Sequence, residues 1–487
     1  MPRLSLATLN DLPPGVTRPA YNRAEVTPGI VHLGVGAFHR AHQAVFIDDC
    51  LGRGELGYGI IAASLRSPVT RDLLAPQDGL YTYCERYGTR EDLRVIGSII
   101  EMITAPENPE RLIEALSLPT VRIVTLTVTE KGYLTHPASR RLLEDHPDIL
   151  HDLANPDRPR TIYGFLTAAL WNRRAAGLTP LTLLSCDNLP ANGRVLKAAL
   201  VRFAALSDPD LVTWIEANSA APCVMVDRIV PATTDQDRAT ISAALGATDA
   251  WPVVAEPYFR WVIEDDFPWG RPALELSGAE IVADVEPYEH MKLRMLNGAH
   301  TAIAAAGQIA GFASVAEAFA NPALRAFIDI YWREAATTLQ PGMDGARYVE
   351  GLRDRFANPA LQHLCVQIAS DASQKVPQRL LAMLGERLAR GERSDALVMA
   401  VALWIRSCGA VNEAGQPIII NDPTFNAWNA PDQAAQTPEE TVAAFLGFEP
   451  VFGPTPDPAL QPLLTAALTA IRDKGVIGAL AGIRADS

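Results

Sequence analysis

Residues 28–47, PGIVHLGVGAFHRAHQAVFI, set a short apolar run against two glycines and then a helix-forming stretch. Ile30, Val31 and Leu33 read as a buried strand, Gly34-Val35-Gly36 as a tight turn, and His39–Ile47 as a helix. This succession confines the chain to folds in which a strand feeds directly into a helix. It also lets backbone approach a pyrophosphate that the helix N-terminus then faces. The third glycine of the dinucleotide fingerprint is replaced by His39, so the segment alone is equally an ordinary strand–turn–helix. Arg40, His39 and His42 either add positive charge for a phosphate or form a solvated first helical turn.

The pattern repeats downstream. Strands are expected at Tyr58–Ser64, at the β-branched run Val121–Thr129 and at Leu181–Ser185, with helices at Thr161–Ala176 and Gly193–Ser207. Such alternation implies a mostly parallel sheet that binds ligands beyond the carboxyl ends of its strands. Those ends carry Ser64–Pro68, Glu130–Tyr133 and Cys186–Asn188. The second of the four expected strands should read an adenosine ribose, yet Ser64–Pro68 holds no carboxylate. Arg66 there accepts a 2′-phosphate or stacks on adenine. Residues 1–27 read as an irregular arm with Pro13, Pro14 and Pro19, and Trp261–Asp266 as a further strand.

Near residue 287 the character changes. Ala- and Leu-rich helical patterns cover 290–309, 313–338, 360–369, 375–391, 393–408 and 436–446, with a Pro/Asn-rich connector at 417–432. At 487 residues the chain exceeds one typical core. The expectation is a Rossmann-like α/β domain with a mostly parallel sheet over 1–285, a mostly α-helical domain over 286–487, and a site in the cleft between them.

Net charge is −14, which argues against binding nucleic acid or an anionic membrane. No apolar run approaches a membrane span and the start lacks a secretory pattern, so a cytoplasmic location is expected. The six cysteines are scattered with no CxxC pair, which fits reduced thiols and gives no zinc pattern. His39 and His42 stand three apart on a helix, but no spaced acidic or thiol partner accompanies them, so no metal is expected.

Lys292-Leu-Arg-Met-Leu-Asn297-Gly-Ala-His300 reads as a helix. At 100° per residue, Lys292, His300 and Asn297 project at about 0°, 80° and 140°, on one broad face. An amine, an amide and an imidazole there suit chemistry at a carbonyl or secondary alcohol. The plain alternative is a helix with a satisfied histidine and a solvated lysine.

Taken together, the chain resembles the polyol-specific long-chain dehydrogenases, the mannitol dehydrogenase family, over nearly its whole length. The resemblance rests on Gly34–Gln43, Thr127–Tyr133, Ser185–Asn188, Met225–Pro231, Trp261–Asp265, Lys292–His300 and Asp371–Arg379, in that order. It implies a metal-independent, nicotinamide-dependent enzyme that interconverts polyols and ketoses. By that resemblance Lys292 is the general acid–base, Asn188 and Asn297 hold the reacting oxygen, and His300 orients the substrate. Asp227 and Lys375 bind substrate hydroxyls, and Glu289 relays protons. Gly34, Gly36, Ala37, Phe38, Arg66 and Glu130 are assigned to the cofactor, NAD, with NADP as the alternative. To act as a base Lys292 must be neutral, well below the roughly 10.4 of a free lysine, and burial beside a nicotinamide ring favours that.

Two departures from the family pattern stand out. The acidic residue that favours NAD in mannitol dehydrogenases is absent near Ser67-Pro68, and Asp371-Ala-Ser-Gln-Lys375 replaces the usual Asp-Gly-Ser-x-Lys. Gln367-Ile-Ala and Ser373-Gln-Lys375 are as similar to the hexuronate reductases. The implied activity is D-mannitol to D-fructose, with fructuronate reduction as the rival and a non-catalytic nucleotide or sugar sensor as the remote one. A hexuronate carboxylate would call for an unpaired cation, and Arg260 and Arg379 are the candidates. The implied partner is a small polyol or ketose, and the protein is a monomer or weak oligomer.

Overall fold

The computed structural model describes residues 1–136, 139–360, 363–409, 411–428, 430 and 432–483. Residues 361–362 of the expected helix at 360–369, and 429 and 431 of the expected connector, lie outside that set. The chain divides into two compact units, Met1–Glu286 and Pro287–Ser487.

The first unit holds strands β1 (Pro28–Leu33), β2 (Gly59–Ser64), β3 (Tyr81–Tyr87), β4 (Arg90–Ile96), β5 (Ile99–Thr104), β6 (Ile123–Leu126), β7 (Thr182–Ser185), β8 (Val224–Asp227), β9 (Val253–Ala255), β10 (Arg260–Glu264) and β11 (Glu280–Val282). Five of them form an all-parallel sheet in the order β5-β2-β1-β6-β7. The chain winds outward from β1 to β5, then returns to β6 on the other side. That reversal puts the topological switch point between β1 and β6, where such sheets bind nucleotides.

Alternate residues of the same strands feed opposite cores, as the period of a strand requires. Val31, Ile61, Val124 and Leu183 join a core completed by the helices Pro109–Ser117, Ile162–Ala175 and Asn192–Ser207. Ile30, Ile60, Ile123 and Leu184 join the other, with Phe46, Val226 and Trp261. Burial of each such aliphatic side chain contributes roughly 1.5–3 kcal/mol.

Several expected bounds shift. The run at 121–129 contributes only Ile123–Leu126 to the ladder. The expected helix His39–Ile47 is two helices, Ala37–Ala41 and Gln43–Gly52, broken at His42 (φ −129°, ψ −91°). The antiparallel pair β3–β4, joined to β9 in a separate three-stranded sheet, was not expected, nor was β5.

The second unit is helical throughout its regular structure among the described residues. Its centre is Gly298–Ala310, buried on nearly every side and packed against Asp395–Ser407 and Cys365–Ile368. Small residues dominate that helix, so neighbours approach it closely. Ser314 with Glu317 and Thr437 with Glu440 form reciprocal caps that start their helices. Gly345–Ala357 is a helix, and Leu460–Leu480 a helical stretch kinked at Gly475, that the sequence pattern did not announce. The expected fold class, a parallel-sheet α/β region followed by a helical one, is met. Among the described residues no helix is long and apolar enough to cross a membrane.

Candidate active site

In the first unit, β1 ends in the Gly34–Gly36 turn at the switch point. Gly34 has φ +95°, and a Cβ there would lie 2.2 Å from the Thr127 carbonyl oxygen beyond β6. Only glycine satisfies both demands. Gly36 differs: its backbone is extended (φ −90°, ψ −171°), and a Cβ would meet nothing closer than the Gly34 carbonyl at 3.8 Å. Gly36 caps Ala37–Ala41 without a side-chain acceptor. The first N–H groups of a helix have no intrahelical partner, so open space beside uncapped donors fits a pyrophosphate. Phe38 is half-buried and stacks on His42, centroids 5.0 Å apart.

His39 stands where the fingerprint has its third glycine, which normally permits close helix–strand packing. Here the contact runs through rings instead. His39 stacks on His32 of β1 with centroids 3.4 Å apart and 12° between planes. His32 is fixed by Thr125 Oγ1 at 2.8 Å and Thr127 Oγ1 at 3.0 Å, and Thr127 Oγ1 donates to the Gly34 carbonyl at 2.7 Å. Burial pushes the His32 imidazole down to about 3 and His39 well below the ordinary histidine range, so both are neutral.

This corrects both sequence readings of Arg40, His39 and His42: all three are buried. The Arg40 guanidinium lies over the Tyr81 and Trp251 rings and donates to the Trp251 carbonyl. It ties core elements together, and His39 carries no charge toward a phosphate.

Beyond β6, Thr129 has φ +65° and ψ 162°, a region that side-chain-bearing residues avoid at a cost of about 1–3 kcal/mol. Asp187, one residue before Asn188, holds it there. The Asp187 carboxylate accepts from the Val128 and Thr129 N–H groups, each at 2.9 Å, and from the Tyr133 hydroxyl at 2.8 Å. Burial raises the Asp187 carboxyl above its usual range, while these donors favour its charged form. Asp187 thus links the two strand ends that carry Glu130 and Asn188, both exposed. In the sequence Asp187 falls within the Ser185–Asn188 motif with no role of its own. A carboxylate two residues past the end of the buried strand β7 was the available signal. Arg66 is exposed just past β2, and Asp227 is buried at the end of β8. Arg260, a candidate for an unpaired cation, is instead held by both oxygens of Glu280.

In the second unit, Glu289 lies in the helix Glu286–Met291, Lys292–Asn297 is π-helical, and an α-helix resumes at Gly298. The Gly298 N–H bonds to the Leu293 carbonyl, five residues back. This corrects the projected face. An α-helix would set Lys292 and Asn297 about 140° apart, whereas i→i+5 closure stacks residues five apart on one side. His300 follows Asn297 by three α-helical residues, so it shares that side. The π-turn narrows a broad face into one row.

His300 is buried against Phe356, centroids 4.5 Å apart and nearly parallel, with the His363 ring edge-on at 4.7 Å. Burial, then the charges of His363, Arg355 and Arg379, hold it well below its ordinary range. A neutral imidazole offers one donor and one acceptor, which suits it to orienting a hydroxyl. Arg379 Nη1 donates to the Asn297 carbonyl at 3.3 Å. Lys375 Nζ donates to the Ile368 carbonyl at 3.1 Å and to the Ser370 carbonyl. Among the described residues no group of three or more His, Cys, Asp or Glu side chains could hold a metal ion.

The mannitol dehydrogenase Rossmann domain matches residues 28–276, and the mannitol dehydrogenase C-terminal domain matches residues 284–472. A mannitol 2-dehydrogenase of Cereibacter sphaeroides is 40% identical over 464 residues, 93% of this chain and 95% of that one. The D-mannonate oxidoreductase of Escherichia coli (strain K12) is 41% identical over 457 residues, 92% of this chain and 93% of that one. Pseudomonas fluorescens mannitol 2-dehydrogenase, solved as a ternary complex with NAD and D-mannitol, is 39% identical with a TM-score of 0.83, covering 98% of each chain. A parallel sheet with a nucleotide-type turn, a helical second unit and matches across both place this oxidoreductase chain in the mannitol dehydrogenase family.

Proposed function

We propose that the protein is an NAD-dependent polyol dehydrogenase that oxidises a secondary alcohol to a ketone, with D-mannitol to D-fructose as its reaction. The observation that carries this reading is the π-turn, which stacks Lys292 and Asn297 on the side shared by His300. The relative solved with NAD and D-mannitol supports the choice of cofactor and substrate.

The Gly34–Phe38 turn, with Arg66 and Glu130 as further contacts, would hold the nicotinamide cofactor, which would supply the hydride acceptor for the carbinol carbon. The Lys292 amine takes the hydroxyl proton, and Glu289, in the turn just before it, passes that proton on. Asn297 and Asn188 donate to the oxygen as it gains negative charge. Neutral amides do this at any pH, and a donor of this kind contributes about 3–4 kcal/mol. His300 orients the hydroxyl, and Asp227 and Lys375 hold others on the polyol. Oxidation of the C–H and O–H bonds thus yields the ketone, with one hydride and one proton removed.

A second reading takes D-mannonate as substrate. It is favoured by the 41% identity to a D-mannonate oxidoreductase and by the Arg379 guanidinium beside Asn297. Lys292→Ala tests the chemistry common to both. It lowers kcat by about 10²–10⁴ while NADH titration by fluorescence gives an unchanged Kd. Turnover within tenfold of wild type would sink the assignment.

A further inference from the structure

A π-turn leaves one carbonyl over. In an α-helix the Gly298 N–H would bond to the Arg294 carbonyl; here it reaches back to Leu293 instead. The carbonyl that is skipped has a different partner. The Tyr331 hydroxyl, on the helix Pro322–Ala336, donates to the Arg294 carbonyl at 2.8 Å, with the Arg379 carbonyl 3.4 Å away. The next side chain, Trp332, donates its indole N–H to the Met295 carbonyl at 2.9 Å. Both rings are fully buried, so neither hydroxyl nor indole has water as an alternative.

Gly298 completes the arrangement. A Cβ at that position would lie 2.0 Å from the Tyr331 hydroxyl oxygen. Tyr331 therefore reaches the Arg294 carbonyl only because residue 298 has no side chain. A second π-turn, Pro377–Leu381, lies alongside and begins at a proline that has no N–H to place in an α-ladder. The lysine segment contains no proline, and its extra donors come from the helix Pro322–Ala336.

We propose that Tyr331 and Trp332 are positioning residues that hold the π-turn and thereby set Lys292 in line with Asn297 and His300. Without the hydroxyl, the half-buried Arg294 carbonyl loses its side-chain donor, a cost that an α-type bond from Gly298 relieves. That change of ladder turns Asn297 toward the 140° offset and breaks the row. The inference rests on the reading of Lys292 as the base.

The experiment compares wild type, Tyr331→Phe, Trp332→Phe, Lys292→Ala and the double variant Lys292→Ala/Tyr331→Phe as full-length proteins. Two readouts are taken: steady-state kinetics across pH, and hydrogen exchange of the Met295–His300 amides. Tyr331→Phe is expected to lower kcat by about tenfold to a hundredfold, because small misplacement of reacting groups costs that much. It also shifts the pH midpoint of kcat, leaves KM for NAD unchanged and speeds exchange in 295–300. Trp332→Phe gives the same pattern, so a folding failure in one variant leaves the other to decide.

In the Lys292→Ala background, Tyr331→Phe is expected to cost less than twofold more, since residues acting through one group are non-additive. An undiminished penalty in that background, or wild-type kcat with wild-type exchange, overturns the proposal. If Lys292→Ala stays active, the base assignment fails. Amide exchange in Tyr331→Phe then still decides whether the hydroxyl holds the turn.

Discussion

His39 shows how one side chain is read wrongly without its neighbours. On the sequence it follows a glycine turn and suits a phosphate. In the fold it replaces a glycine by stacking on His32, and burial removes its charge. The same burial has a pH consequence. In the unfolded chain both histidines titrate near 6.5, whereas His32 in the folded state is pushed down to about 3 and His39 also lies well below its ordinary range. Below pH 6.5 the unfolded state therefore binds protons that the folded state refuses, and stability falls as pH falls. Each histidine adds a slope of up to about 1.4 kcal/mol per pH unit. His39→Phe keeps the stack and removes one such slope. Denaturant melts between pH 7 and 4.5 should show the variant losing less stability than wild type, and parallel curves would refute the account. Asp187 makes the opposite point. Its sequence position drew no role, yet its carboxylate holds the strained Thr129 between the ends of β6 and β7. Partnership across 58 residues leaves no trace in local spacing.

At the scale of elements, the parallel sheet was legible because its strands are apolar, β-branched and followed by glycine or polar turns. Beyond β5 and the helical stretches Gly345–Ala357 and Leu460–Leu480, two features escaped for clear physical reasons. The turn-proximal half of the β3–β4 hairpin is crowded with charges (Glu85, Arg86, Arg90, Glu91, Asp92 and Arg94), so its alternation is masked. The π-turn at Lys292–Asn297 has the composition of an α-helix. Its extra residue is set by Tyr331 and Trp332 from another helix, beyond the reach of any local pattern. Lys292, Asn297 and His300 were identifiable as a trio, but their alignment was not. The glycine turn gives a prediction that separates folding from binding. Gly34→Ala forces a side chain into φ +95° and against the Thr127 carbonyl, and the φ alone costs about 1–3 kcal/mol. Gly36→Ala meets neither obstacle. Thermal melts should show Gly34→Ala destabilised and Gly36→Ala unchanged. NADH titration should show Gly36→Ala weakened tenfold or more, because its methyl fills the space proposed for pyrophosphate. Wild-type NADH affinity in Gly36→Ala would remove the turn from the cofactor site.

For the molecule as a whole, charge bears on the choice of substrate. The net charge is −14, and a field of that sign repels an anionic hexonate while leaving a neutral polyol untouched. Recognition of a carboxylate would then need a local cation strong enough to offset the field. Arg260 is engaged by Glu280, and Arg379 donates to the Asn297 carbonyl and to Thr301 Oγ1. The cofactor choice turns on the end of β2, where Arg66 is exposed and Ser64–Pro68 offers no carboxylate to a ribose. A free 2′-hydroxyl can be bound without one, and NAD remains the proposed cofactor. The decisive measurement is kcat/KM for D-mannitol and for D-mannonate, each with NAD and with NADP, at low and high salt. Mannitol with NAD is expected to lead, with little salt dependence in the mannitol term. Any mannonate activity should rise with salt, as screening removes the repulsion. A mannonate preference above tenfold, about 1.4 kcal/mol of transition-state discrimination, moves the protein to the hexuronate branch. A tenfold preference for NADP that disappears in Arg66→Ala would show that this arginine reads a 2′-phosphate. The same preference surviving that substitution would place the phosphate contact elsewhere in the first unit.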